Sequence, residues 1–469
     1  MLNPNKFAVH LISGLSYLFF TVVLCLVIPH EIEASVRDDD SELNSLKLEV
    51  ETLKSRIDVL EEQLTSVLQL VSNTPLPGKE TLQQIPVPVI TGTPSGSVEY
   101  SAVTTTDNSA INVGGRVKLD AIYNSHSVGG NSGTNGADLS FFPSLIPVSG
   151  TGEDDQFSFN ARQTRLWLKG YSPSEYGEMA GYIEIDFDSS STASDERVSN
   201  SFIPRLRHAY GTIAGITLGQ TYTTFMNVSA YPEVNDLNGP VGIMNIRQPL
   251  LRYRIDRDWG NLYLALENPE TTLTTISGVR LSPDDDRLPD LVAKIEFSGD
   301  WGNWSISGMA REIRNDSNIA SITDDSTWGG AMSTSGRIRL GDQDNLRFNL
   351  SYGNSLGRYL SFNGFNDGVI ADNGRIILTE IFGGYLAYQH WWTEDLRSTI
   401  SAGFAHANNS VIINPSLINE TFYSTHLNLI WSPSLNAAIG IEWLHGYREL
   451  EDGQNGTLDR IQLTSIYKF

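Results

Sequence analysis

Across residues 111–469 the sequence is a succession of period-two segments whose connections are alternately short and long. Every second connection is a tight turn, at 211–215, 257–260, 299–302, 341–345, 393–395 and 432–434, with 171–176 a slightly longer one. The connections between them are long, ~10–30 residues. The alternation predicts strands at 111–124, 156–170, 177–188, 203–213, 215–224, 246–256, 260–268, 287–299, 302–314, 327–340, 345–355, 376–391, 394–408, 419–431, 434–448 and 457–469. That is sixteen, an even number, and each is long enough to cross a bilayer at a tilt. Soluble sandwiches do not sort their turns by length so strictly, whereas a transmembrane barrel has short turns at one rim and long loops at the other. Trp259, Trp301, Trp391, Trp392 and Trp431 stand at or beside the short turns, where an interfacial aromatic girdle belongs.

Alternation also sorts the faces. Ile183, Ile185 and Phe187 share one side of their strand, and Glu184, Asp186 and Asp188 the other. Arg205 and Arg207 oppose Leu206; Arg252 and Arg254 oppose Leu251, Tyr253 and Ile255. Amphipathic strands with a wettable inner face imply an aqueous lumen. In this register Arg165, Arg205, Arg207, Arg252, Arg254, Arg337 and Arg339 face inward, as do Arg116 and Lys118, whereas His208 takes the lipid side. A guanidinium keeps its charge and presents a planar fork to a carboxylate. Several on one wall would guide small anions and orient a diacid. Alternatively, Glu184, Asp186 and Asp188 neutralise them, and the network braces the wall. The connection at 225–240 is apolar for an exposed loop and is expected to fold inward as a constriction carrying Tyr231, Glu233 and Asp236; the alternative is a surface loop.

The N-terminal part is built differently. Lys6 precedes an apolar run at 15–28, Pro29 stops it, and Ala34 followed by Ser35 is a cleavage point, so 1–34 reads as a signal peptide. An uncleaved anchor helix is the alternative, for which the run is short. Leu43, Leu46, Val50, Leu53, Ile57, Leu60, Leu64, Val67 and Val71 recur at steps of three and four, which predicts an α-helical coiled coil over 41–72. Its exposed seam requires association with other copies or packing on the chain's own body. Arg56-Ile57-Asp58-Val59-Leu60-Glu61 resembles a short motif of trimeric coiled coils. The Pro-, Thr- and Ser-rich stretch at 73–110 is an extended linker, and 111–469 is the barrel.

Composition removes other classes. A net charge of −23 argues against nucleic acid as a partner. One cysteine excludes a disulfide scaffold and a cysteine zinc cluster. A single apolar run excludes a polytopic helical membrane protein. The eight histidines are scattered, with no Gly-x-Ser-x-Gly or His-Glu-x-x-His, so no enzyme, cofactor or metal site is expected. Acidic stretches such as Glu153, Asp154 and Asp155, or Asp284, Asp285 and Asp286, fall in long loops as solvated surface.

Gly115-Arg116-Val117-Lys118-Leu119-Asp120-Ala121-Ile122-Tyr123, Arg205-Leu206-Arg207-His208-Ala209-Tyr210, Gly219-Gln220-Thr221-Tyr222-Thr223-Thr224-Phe225-Met226, and Asn238-Gly239-Pro240-Val241-Gly242 through Arg247-Gln248-Pro249 resemble the DcaP-type trimeric porins. The terminal Phe469 resembles the sorting signal of outer-membrane barrels. The resemblance implies an all-β fold, a 16-stranded antiparallel transmembrane β-barrel preceded by a periplasmic coiled coil. It implies passive diffusion of small anionic solutes, dicarboxylates and aromatic diacids among them, with Arg205, Arg207, Arg252 and Arg254 as the leading pore arginines. The partners it implies are the outer-membrane bilayer and two further copies in a homotrimer; the coil would hold register or space the barrel from the cell wall. The match thins after about Asn268, so the exact substrate does not transfer. The competing readings are a trimeric tether or adhesin, for which the coil is short, and an enzyme embedded in a barrel.

Overall fold

The computed structural model describes residues 102–105, 109–127, 139–188, 199–316, 325–410 and 414–469. The expected signal peptide, coiled coil and linker up to residue 101 lie outside the described residues. Sixteen antiparallel strands close into a barrel. They are β1 (Ser109–Ser127), β2 (Glu153–Asn160, resuming at Arg165–Ser174), β3 (Gly177–Asp186), β4 (Arg205–Ile213), β5 (Ile216–Tyr222), β6 (Arg247–Arg257), β7 (Gly260–Glu267) and β8 (Asp290–Gly299). They continue as β9 (Gly302–Asn315), β10 (Asp325–Leu340), β11 (Asp344–Gly353), β12 (Glu380–Trp391), β13 (Leu396–Asn408), β14 (Asn419–Ser434), β15 (Ala437–Leu450) and β16 (Asn455–Lys468). β1 pairs with β16 on one edge and with both pieces of β2 on the other, so no edge is left open. Phe469 exchanges backbone hydrogen bonds with Gly115 and completes the seam.

The strands exist because hydrocarbon accepts only apolar side chains at every second position. Val117, Leu119, Ile183, Leu218, Leu251, Leu264, Leu350, Leu386, Ile400, Ile441 and Leu463 stand exposed on the outside, where lipid would cover them. The short turns repeat one solution: in Asp258-Trp259-Gly260 and Asp300-Trp301-Gly302 the glycines take φ of 144° and 129°. A Cβ there would collide with the Glu296 and Arg337 carbonyls of the next strand. Trp259 and Trp304 flank Phe297 in an outward stack at this rim, and Trp301, Trp392 and Trp431 are exposed there too. Trp391 departs from the expected girdle: it shares the inward parity of Tyr385 and Gln389 and lies under the Arg397 guanidinium at 4.9 Å.

Four local departures have physical causes. Residues 102–105, expected as linker, already pair with Ser109–Asn112 of β1; Ala-Val-Thr-Thr lacks proline and is rich in β-branched residues. The second strand breaks at residues 161–164, where the Asn160 side chain accepts the Arg162 amide and Thr164 N–H turns back to Ala161. Ile376–Leu378 leaves the expected twelfth strand for a small loop sheet with Leu273–Thr275, Arg280–Leu281 and Gly368–Ile370. The turn expected at 432–434 falls at 435–436, because β14 carries Pro433 through on a register shift between Trp431 and Ser434.

The apolar core lies inside the barrel. Phe141, Ile146, Phe225, Met226, Val241, Met244, Tyr359, Leu360 and Phe365, all on loops, pack against inward Ala265, Val292, Met309, Ala331, Ile381, Ala405, Phe422 and Leu444. The expected wettable inner face therefore holds best along β2 to β6, whereas much of β7 to β16 is covered by folded-in loops, and on β1 inward Lys118, Asp120, Ile122 and Asn124 are buried as well.

Candidate functional site

The residues at 223–246, between β5 and β6, fold into the lumen as expected. Asn227 starts the descent: its side-chain oxygen accepts the Ser229 amide ahead of a single 3₁₀ turn, Val228–Ala230. The loop is then fastened to one wall strand after another. Lys294 of β8 donates to the Met226 carbonyl (3.2 Å), and Asn227 donates to Asn303 of β9 (2.7 Å) and to the Ser335 carbonyl of β10 (3.2 Å). Arg347 of β11 donates to the Tyr231 carbonyl, and Tyr385 of β12 to the Ala230 carbonyl (2.9 Å). Glu233 accepts both prongs of Arg397 on β13 (2.6 and 2.5 Å) and the Gln389 amide (2.5 Å). Glu442 of β15 accepts the backbone amides of Asn235 (2.7 Å) and Asp236 (3.3 Å), Asp236 pairs with Arg460 of β16 (2.7 Å), and Lys118 of β1 donates to the Asn235 carbonyl (2.9 Å). Among the described residues, no hydrogen bond ties the loop to β2, β3 or β4.

The expected constriction residues are thus anchors. Tyr231 donates its hydroxyl to the Leu237 carbonyl, Glu233 is spent on Arg397, and Asp236 is buried with Arg460. Burial would push the Glu233 carboxyl up, but the Arg397 fork outweighs it and holds Glu233 below its ordinary value.

The wall left uncovered carries the arginines, which fall into two kinds. Asp186 takes both prongs of Arg205 (2.8 Å each) and Nη1 of Arg207 (2.7 Å); Glu184 takes Nε of Arg207 (2.6 Å); Asp188 reaches Arg205 at 3.3 Å. Arg254 pairs with Asp256 (2.8 Å) near the short-turn rim. These are the neutralised members, as the bracing alternative expected.

The second kind has no carboxylate to itself. Arg116 faces Arg165 on β2 and Lys468 on β16 in the strand register, and makes no ion pair among the described residues. Arg165 reaches only Glu184, at 3.5 Å, a carboxylate already held more closely by Arg207. The Nε atoms of Arg116 and Arg165 are buried without a partner. Arg247, at the neck of the inward loop, lies 5.5 Å over the Tyr222 ring and makes no ion pair among the described residues. Arg252 holds the neck itself through the Tyr222 carbonyl (2.5 Å) and Thr224 (2.8 Å). Tyr222 packs on His208 (centroids 4.9 Å apart), and His208 on Tyr182 and Tyr210, so the free guanidiniums stand beside an aromatic patch.

His208 corrects the sequence reading. Glu184 pairs with His208 but Ile185 pairs with Leu206, so Arg207 is an extra residue in the ladder. The bulge sends both Arg207 and His208 inward, and His208 bonds Thr221 at 3.0 Å. Arg337 and Arg339 lie far from this wall, by the short turn after β10. Arg247 and Arg347 were not among the expected pore residues. Arg347 has plain inward parity and was open to discovery; Arg247 follows the loop neck, where the chain has left the wall and alternation no longer reports the face. Among the described residues, no three His, Cys, Asp or Glu side chains converge as a metal ion would require.

Residues 97–469 match the family described as DcaP outer membrane protein. Among solved structures, the outer membrane channel DcaP of Acinetobacter baumannii superposes with a TM-score of 0.67, at 23% identity, over 79% of this chain and all of that one. OmpT of Vibrio cholerae gives 0.49 at 9% identity over 78% of this chain and 99% of that one. An anion-selective porin from Comamonas acidovorans gives 0.48 at 10% identity over 77% and 100%. The first likeness is one of fold, and the other two carry no further argument. No curated protein matches the chain in sequence.

Proposed function

The chain belongs to the DcaP outer membrane protein family, a family of outer-membrane porins, and from that premise we propose that its pore passes small anions, dicarboxylates and aromatic diacids among them. The observation that carries this reading is the set of guanidiniums without carboxylates of their own, Arg116, Arg165 and Arg247, on and beside the wall of β2 to β4 that the inward loop does not fasten to. A fixed cation in a narrow lumen raises the local concentration of anions and repels cations. The guanidinium fork matches a carboxylate, and the neighbouring Tyr222, Tyr182 and Tyr210 rings offer a face to a planar diacid. The transport step is passive: no bond is made or broken, and the solute runs down its gradient. The net charge of −23 does not oppose anion preference, because the field at the constriction is local. Three copies, each with its own pore, would be joined through the coil at 41–72 on the periplasmic side, with the same coil spacing the barrel from the cell wall.

The test is the reversal potential of single channels in a KCl gradient, with succinate or phthalate added as a blocker. Wild-type channels are expected to prefer chloride, to open in triplets and to be interrupted by both diacids. Replacing Arg116, Arg165 and Arg247 together by alanine is expected to abolish the chloride preference. Cation preference in the wild type would defeat the proposal.

A further inference from the structure

On the wall to which the inward loop is fastened, toward the short-turn mouth, is a second set of arginines. Arg337 of β10 and Arg347 of β11 are direct partners in the strand ladder, and both share the inward parity of Ser335 and Asn349. Like charges placed directly opposite one another on a sheet destabilise it. Arg347 also fastens the inward loop, but among the described residues neither arginine forms an ion pair with a carboxylate. Among the described residues Arg337 has no ion pair, and its Nε is buried without a partner. Its other ladder neighbour is Asn303, whose amide oxygen is already taken by Asn227 and Ser229. Arg347 is oriented by two neutral oxygens, Asn345 Oδ1 (2.7 Å) and the Tyr231 carbonyl, which leaves its remaining terminal amino group unassigned. Arg339, two residues nearer the turn, reaches only the Asp300 carbonyl at 3.5 Å. The nearby carboxylate is Glu233, and Arg397 and Gln389 occupy it. Four guanidiniums thus share one spent carboxylate beside the short-turn mouth.

The position matters as much as the charge. The loop is fastened to this wall at Ser335, Arg347 and Asn349. Arg337 and Arg339 continue from those fastenings toward the turn after Leu340, on the periplasmic side of the loop. They therefore meet solute that has left the constriction or that arrives from the periplasm.

We propose that Arg337 and Arg347, flanked by Arg339, form a second docking site for small dianions, entered from the periplasmic mouth and separate from the constriction arginines. The inference rests on the anion reading above and adds to it a place of release. Flux through a channel needs sites that bind strongly enough to fill and weakly enough to empty, and two sites in series on opposite walls meet that need.

Succinate and inorganic phosphate, added to one side of the bilayer at a time, test this on the full-length protein. Sidedness is fixed by placing a cysteine at Leu435, exposed in the short turn at 435–436, for a bulky impermeant thiol reagent; Cys25, the one native cysteine, lies in the expected signal peptide and would be removed with it. In R337A/R339A, which spares the loop fastening at Arg347, the rate of block by dianion from the short-turn side is expected to fall about fivefold or more, since two unit charges are removed at close range. Block from the opposite side is expected to change less than twofold. R337K/R339K keeps the charge and is expected to restore most of the rate; failure to restore it would mark the alanine loss as a structural defect and overturn the proposal. An equal loss from both sides, or none from either, would overturn it as well. If wild-type channels prefer cations, the broader anion reading falls first; if they prefer anions and the double variant blocks normally, this second site alone falls.

Discussion

On β4, Arg205 and Arg207 are locked to Asp186 and Glu184, while Arg247, at the start of β6, rests on Tyr222 and Arg116 has Arg165 and Lys468 as its register partners. Across the lumen the same residue type serves as a fastening: Arg460 buries with Asp236, and Arg397 grips Glu233. The arginines on both walls share an inward face and the same chemistry. What separates those that hold the fold from those left to meet solute is whether a neighbouring strand or the inward loop delivers a carboxylate. The uncovered wall has more guanidinium than carboxylate to match it, and on the covered wall a surplus gathers at the short-turn mouth.

The largest effect should come from breaking a fastening. Arg460 and Asp236 are both fully buried, so Arg460→Leu leaves Asp236 as an uncompensated buried charge, a change that costs about 3–5 kcal/mol. The loop tip is expected to leave β16 while the barrel stays closed. Single-channel conductance and open-channel noise should both rise, and proteolysis should newly cut near residue 236. A quiet channel of unchanged conductance would mean that the loop is held by its other anchors alone.

A smaller change converts one wall into the other kind. Asp186 neutralises parts of both Arg205 and Arg207, and Asp186→Asn removes its charge with little change of shape. One unit of charge at close range in a partly aqueous lumen alters local anion concentration about threefold. The chloride-to-potassium permeability ratio is expected to rise by that order. An unchanged ratio would place the Arg205 and Arg207 cluster outside the conduction path.

How much of this was legible depends on what enforces each feature. The strands were legible because lipid demands an apolar residue at every second outward position, as at Ile439, Ile441 and Trp443 or Ile461 and Leu463. The inward loop was legible from its apolar residues, since Phe225, Met226 and Val241 would have no place in water. The face of His208 was not, because the bulge at Arg207 is set by the pairing with Ile185 and Glu184 on another strand. The fates of Arg252 and Arg254 were not either. The two residues read alike, yet one holds the loop neck and the other an exposed Asp256. Glu233 and Asp236 look in sequence like constriction charges, and only the distant Arg397 and Arg460 show that they are spent.

The smallest expected effect concerns pH and distinguishes a clasp from a free lumen carboxylate. Because Arg397 holds the folded-state Glu233 below its ordinary value, the clasp adds stability that is complete above the ordinary glutamate range. That stability is lost as the pH falls through the lowered folded value, since only then does the bound carboxylate take up a proton. Open-channel noise should therefore stay flat from neutral pH through the ordinary glutamate range and rise only in more acid solution. In Glu233→Gln the acid-dependent rise should diminish, because the side chain can no longer lose a charge. Arg397→Lys, which keeps one charge but loses the two-pronged grip, should move the rise to higher pH. A wild-type rise already centred on the ordinary glutamate value would instead mean that Glu233 faces the pore water, and that the two walls differ less than their geometry implies.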